Sequence, residues 1–141
     1  MLRDNLHTTN YLDTFIEVAE DSPATEAEVP PQKADKKTVA NYHFDMVAHH
    51  PYKYTSDDVI FETYAQKNEI AKADKKEARE VFFSKGQPCL RASPLTKRYG
   101  WGVHADAKGK IALYGVDSAE YKKLAKDKTL QHVKAMRSKR A

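Results

Sequence analysis

Residues 100–114 read Gly-Trp-Gly-Val-His-Ala-Asp-Ala-Lys-Gly-Lys-Ile-Ala-Leu-Tyr, and this stretch decides the fold class. Two short runs of strand-forming residues, Trp101 to Ala105 and Lys110 to Tyr114, flank Asp106-Ala107-Lys108-Gly109. A tight turn between them needs a residue in the left-handed backbone region, and Gly109 enters it without a Cβ clash. The stretch therefore predicts an antiparallel hairpin. Alternation places Trp101 and Val103 on one face, and Gly100, Gly102 and His104 on the other. With Ile111 and Leu113 beside Trp101 and Val103, the second face gains Ala112 and Tyr114 and is flat and small-residued.

Outward from the hairpin, the flanking segments read as helices. Downstream, Asp117-Ser118 caps a helix to about Lys126, and Thr129 caps a last, basic helix over about 129–140 through Val133 and Met136. Upstream, Ser93-Pro94 is an N-cap followed by proline at the first helical position, so Pro94 to Tyr99 forms a short helical turn that Gly100 closes. A helix from about Asp74 to Ser84 turns Ala78, Val81 and Phe82 inward, with Gly86 as its stop. Thr55-Ser56-Asp57-Asp58 caps a helix over about Asp57 to Lys67 that buries Ile60, Phe61 and Tyr64. Val59 to Ala65 is also rich in β-formers, and a strand there is the rival reading. From Thr38, Val39, Tyr42, His43, Met46, Val47 and His50 recur at three- and four-residue spacing until Pro51. Tyr11 to Ala19 reads as a strand, and an irregular acidic arm at about 20–37 carries Pro23, Pro30 and Pro31. The class is α+β: a small antiparallel sheet with a C-terminal hairpin, packed by several helices.

The 141 residues fit one domain, with 40% hydrophobic and 31% charged side chains. A lone cysteine makes no internal disulfide, which suits a reducing cytosol. No run approaches the roughly 20 apolar residues a membrane helix needs, and no apolar run follows the first charges. The expectation is a cytoplasmic protein without a membrane partner. Charge is polarised: residues 1–35 hold two basic and eight acidic side chains, whereas 121–141 hold eight basic and one acidic. Such ends either lie against each other or form two solvated surfaces.

No motif fixes a reaction, so no catalytic residue, metal site or cofactor is assigned. Arg91, Lys97, Arg98 and Lys85 crowd the approach to the hairpin, interleaved with Tyr99 and Trp101 and followed by His104. Guanidinium forks and aromatic faces together suit a small anionic or nucleotide-like ligand. The expected ligand-binding residues are Arg91, Lys97, Arg98, Tyr99, Trp101 and His104. The competing reading is that a helix packs closely on these glycines and that the cations are a solvated edge. A nucleic-acid binder using the basic C-terminal helix with Arg98 and Tyr99 is the alternative. A cysteine-dependent enzyme with Cys89 as nucleophile and His104 as base is a second. His43, His49 and His50 lack the spacing and partners of a zinc site, and Asp57-Asp58 reads as a cap rather than an acid–base pair.

Several phrases carry a resemblance. They are Thr-Thr-Asn-Tyr with Thr-Phe-Ile-Glu-Val-Ala-Glu-Asp (within 8–21), Pro-Tyr-Lys-Tyr-Thr-Ser-Asp-Asp-Val (51–59), Phe-Phe-Ser-Lys-Gly-Gln-Pro-Cys-Leu-Arg-Ala-Ser-Pro-Leu (82–95), Lys-Arg-Tyr-Gly-Trp-Gly (97–102) and Ala-Met-Arg-Ser-Lys-Arg (135–140). Over nearly its whole length the chain resembles a family of small uncharacterised bacterial proteins classed as a domain of unknown function. The resemblance implies a bacterial, free-standing domain and brings no activity with it.

Overall fold

The structure is a computed structural model and describes residues 6–32 and 36–137. Its centre is β1 (Thr14–Glu17), where Phe15 and Ile16 are both buried although they point to opposite faces. A strand covered on both faces needs apolar residues in succession, which is why this segment does not alternate cleanly. The hairpin forms as expected from β2 (Trp101–Ala105) and β3 (Ile111–Gly115), with Gly109 at φ +79°. The sheet order is β3-β2-β1-β4, with β1 antiparallel to β2 and parallel to β4 (Gln131–Lys134).

Helices α1 (Val39–Ala48) and α2 (Ser56–Lys67) are adjacent and cover the face carrying Ile16 and Val103. Both begin with a capping box: Thr38 with Asn41, and Thr55 with Asp58. Each box satisfies backbone N–H groups that a helix start leaves without partners. The helical reading of 59–65 therefore holds, and Val59, Ile60 and Phe61 are buried. Helix α3 (Lys75–Phe83) leans on α2 through a satellite cluster of Phe61, Ala65 and Phe83. A four-residue turn, α4 (Pro94–Lys97), starts at the Ser93 cap and feeds β2. On the opposite face, α5 (Ala119–Ala125) sets Tyr121 edge-on against Phe15, ring centres 5.0 Å apart.

Several expectations are corrected. In α2, Ile60 and Phe61 are buried as expected, but Tyr64 is exposed. Residues 131–134 are a strand, not the start of a basic helix; residues 138–140 of that expected helix lie outside the described residues. The three-residue interval between Val133 and Met136 suggested a helix, but the open edge of β1 offers a full ladder and turns Val133 into the core. The sheet is accordingly mixed rather than purely antiparallel. In α3, Val81 is 56% exposed and Phe83 is buried instead. The helix stops at Phe83 with Ser84 as its cap, and Gly86 keeps a φ outside the left-handed region.

The opposite charges at the chain ends meet in part. Lys134 Nζ lies 3.1 Å from Glu20, because β4 runs alongside β1. The arm after β1 crosses the base of the hairpin. There Glu28 N donates to Tyr99 O at 2.9 Å, Trp101 Nε1 donates to Glu28 O at 2.8 Å and Asn41 Nδ2 donates to Pro30 O at 3.1 Å.

Candidate functional site

The sheet face of Gly102 and His104 is filled rather than open. A Cβ on Gly102 would lie 2.7 Å from both Phe15 Cζ and Tyr121 Cε2, and one on Gly100 would lie 2.6 Å from Glu26 O. Both glycines therefore serve close packing. His104, at the edge of that face, bonds through Nδ1 to the Tyr52 hydroxyl at 2.8 Å. Burial lowers the pKa of its imidazole, opposed by the charges of Asp106, Asp127 and Asp13. Trp101 lies against Phe44, ring centres 5.4 Å apart, under the arm. Arg91 Nε donates to Lys134 O at 2.6 Å and so ties the loop before α4 to β4. These three expected ligand residues are thus engaged in three separate places.

The other three converge. Lys97, Arg98 and Tyr99 line one cleft of about 820 Å³ together with Lys36, Lys37 and Lys67. Its walls come from distant parts of the chain: the segment entering α1, the last turn of α2, and α4 with the turn that follows it. Among the described residues, five cationic side chains and no carboxylate line it. Lys37 is committed to Asp45 at 2.9 Å. Among the described residues no ion pair occupies Lys36, Lys67, Lys97 or Arg98. Cations held together without counter-charges repel one another, and an anion relieves that repulsion. Lys97 and Arg98 follow from the Ser93-Pro94 turn, which fixes their direction locally. Lys36, Lys37 and Lys67 were missed because nothing in the sequence places them beside residue 98.

A second cavity of about 480 Å³ adjoins the first, and Val39, Lys67, Ala92 and Pro94 line both. Ile60, Tyr64, Phe82 and Cys89 make most of its wall apolar. His43 and Ser93 also line it, with His43 Nδ1 2.9 Å from Ser93 Oγ. Burial pushes the His43 imidazole down to about 4, so it is neutral near pH 7. Ser93 Oγ accepts from Leu95 N at 3.2 Å and caps α4, which occupies it as a structural group. Cys89 has the Tyr11 hydroxyl 3.6 Å from its Sγ. His104, the base a cysteine enzyme would need, is bonded to Tyr52 instead. Among the described residues no cluster of three or more His, Cys, Asp or Glu side chains could hold a metal ion, and no helix is long and apolar enough to cross a membrane.

Compared with known proteins, residues 6–141 match the model of a family of unknown function, DUF6157. No curated protein and no solved structure matches the chain.

Proposed function

The chain belongs to that family of unknown function, and from its own geometry we propose that it is a binding module for a small anionic ligand. The ligand sits in the cleft formed by Lys36, Lys67, Lys97, Arg98 and Tyr99. One observation carries this reading: among the described residues, five cations and no carboxylate line the cavity, and four of those cations have no ion-pair partner. Arg98 supplies a planar fork for phosphate or carboxylate, the lysines supply point charges, and Tyr99 offers a ring for a nucleotide-like body. A cytoplasmic, bacterial setting accords with the lone cysteine and with the sequence resemblance. Arg91, Trp101 and His104 leave the ligand set, and Lys36 and Lys67 join it.

Calorimetric titration with inorganic pyrophosphate and with AMP tests the reading at low and high ionic strength. Saturable binding that weakens with salt, and that falls about tenfold or more in Lys97→Glu/Arg98→Glu, is the expected result. No binding at low ionic strength overturns it. So does strong preference for a single-stranded oligonucleotide, which would make the cleft part of a nucleic-acid surface.

A further inference from the structure

We infer that the anion is the head of an amphiphile, an acyl chain ending in a carboxylate or phosphate, whose apolar body occupies the slot adjoining the basic cleft. The inference rests on the anion-binding reading and specifies its ligand. Two cavities of opposite character share four lining residues, Val39, Lys67, Ala92 and Pro94, so one molecule can span both. A hydrated inorganic anion satisfies the four unpaired cations but leaves the second cavity without an occupant. That second cavity, at about 480 Å³, falls within the roughly 300–1,000 Å³ of small-molecule sites.

The chemistry of the slot excludes most other bodies. Ile60, Tyr64, Phe82 and Pro94 offer apolar surface, and among the described residues no charged side chain except the boundary residue Lys67 lines it. The buried His43 is neutral and already joined to Ser93, so a polar body would lose hydration without gaining a charged partner. An apolar chain gains on entering such a wall in proportion to the surface it buries. Lys67 stands where the two regions meet, and a lysine has a hydrocarbon stem as well as a charged end. Charge complementarity therefore fixes the orientation: head toward Lys97 and Arg98, tail toward Phe82 and Cys89.

A homologous series tests it, with hexanoate, octanoate and decanoate titrated as monomers beside decanol and pyrophosphate. Affinity should rise about fourfold per added methylene, the equivalent of about 0.8 kcal/mol, until the slot is full. Lys97→Glu/Arg98→Glu should weaken decanoate and pyrophosphate alike and leave decanol unchanged. Cys89→Phe, which fills the slot, should abolish the dependence on chain length and spare pyrophosphate. Should that variant not fold, Tyr64→Ser at an exposed part of the wall should weaken decanoate several-fold and spare pyrophosphate. Affinity that is flat from hexanoate to decanoate, with pyrophosphate still bound, overturns this inference and leaves the anion cleft standing. Failure of every anion overturns both. Association with anionic vesicles without saturable binding of decanoate also overturns it, since the partner would then be a membrane surface.

Discussion

Tyr52 holds its hydroxyl 2.8 Å from Nδ1 of His104, and the same oxygen lies 2.7 Å from the hydroxyl of Tyr114. Tyr52 reaches this position with φ +58°, a conformation that a bulky residue adopts only when its surroundings enforce it. Tyr52 N donates to Ile111 O at 2.8 Å, which anchors the turn to the hairpin. Burial lowers the His104 pKa; if the phenol is the donor to Nδ1, that bond adds to the preference for the neutral ring. With a depressed folded pKa, the unfolded chain binds the extra proton first as pH falls below the ordinary histidine value. The stability from His104 is thus present above about 6.5 and lost on acidification toward its folded value. Tyr52→Phe should raise the His104 midpoint in an NMR titration of its ring protons. A lowered midpoint would mean that the phenol accepts a proton from the ring instead.

Gly102 is the position where a single methyl group should do most damage. Its Cβ would stand 2.7 Å from two aromatic carbons, on Phe15 and Tyr121, that themselves pack edge to face. Gly102→Ala should cost about 1–3 kcal/mol in urea unfolding, because neither ring can move without opening the core. Gly86→Ala is the matched control, since nothing lies within 4 Å of its Cβ and its φ is not left-handed. It should be neutral or stabilise by a few tenths of a kcal/mol through the unfolded chain.

These glycines also show how far the sequence can be read. The hairpin, its faces and the caps at Thr55, Ser93 and Ser118 are local, and each was legible from residues within a few positions. What covers the Gly102 face was not, because Tyr121 and Phe15 come from distant elements. β4 was misread for the same reason: its partner β1 lies more than a hundred residues away, and Val133 with Met136 suits either period. In the cleft, Lys97, Arg98 and Tyr99 were visible as one phrase. Lys36 and Lys67 became neighbours of Arg98 only when α1 packed against both α2 and α4.

His43 should set a pH limit on stability. It is buried, its pKa is about 4, and its Nδ1 lies 2.9 Å from Ser93 Oγ. Between about pH 6.5 and 4 the unfolded chain carries a proton on this ring that the folded chain lacks, so stability falls as pH falls through that window. The loss by pH 4 should reach the order of 3 kcal/mol from this residue. Urea midpoints from pH 4 to 7 measure it, and His43→Gln should be less stable at pH 7 but flatter with pH. Equal slopes for the two proteins would assign the acid sensitivity to other groups.

Asp57 clasps the segment that leads into β1. Its carboxylate accepts from Thr9 N at 2.6 Å, Thr9 Oγ1 at 2.7 Å and Thr8 Oγ1 at 2.7 Å, while Asp57 N donates to Asn10 Oδ1 at 2.9 Å. It stands in the first turn of α2, where the helix dipole favours its charge. Because the site is only partly buried, Asp57→Ala should cost about 2–3 kcal/mol rather than the sum of three charged hydrogen bonds. Asp57→Asn keeps one acceptor oxygen and should fall between the variant and the parent. Amide exchange at Thr9 should quicken in both, more in the alanine variant, ahead of exchange in β1 itself. Equal losses in the two variants would assign the effect to charge at the helix start. An unchanged Thr9 amide would mean that packing around Thr9, buried at 4% exposure, holds the segment without the clasp.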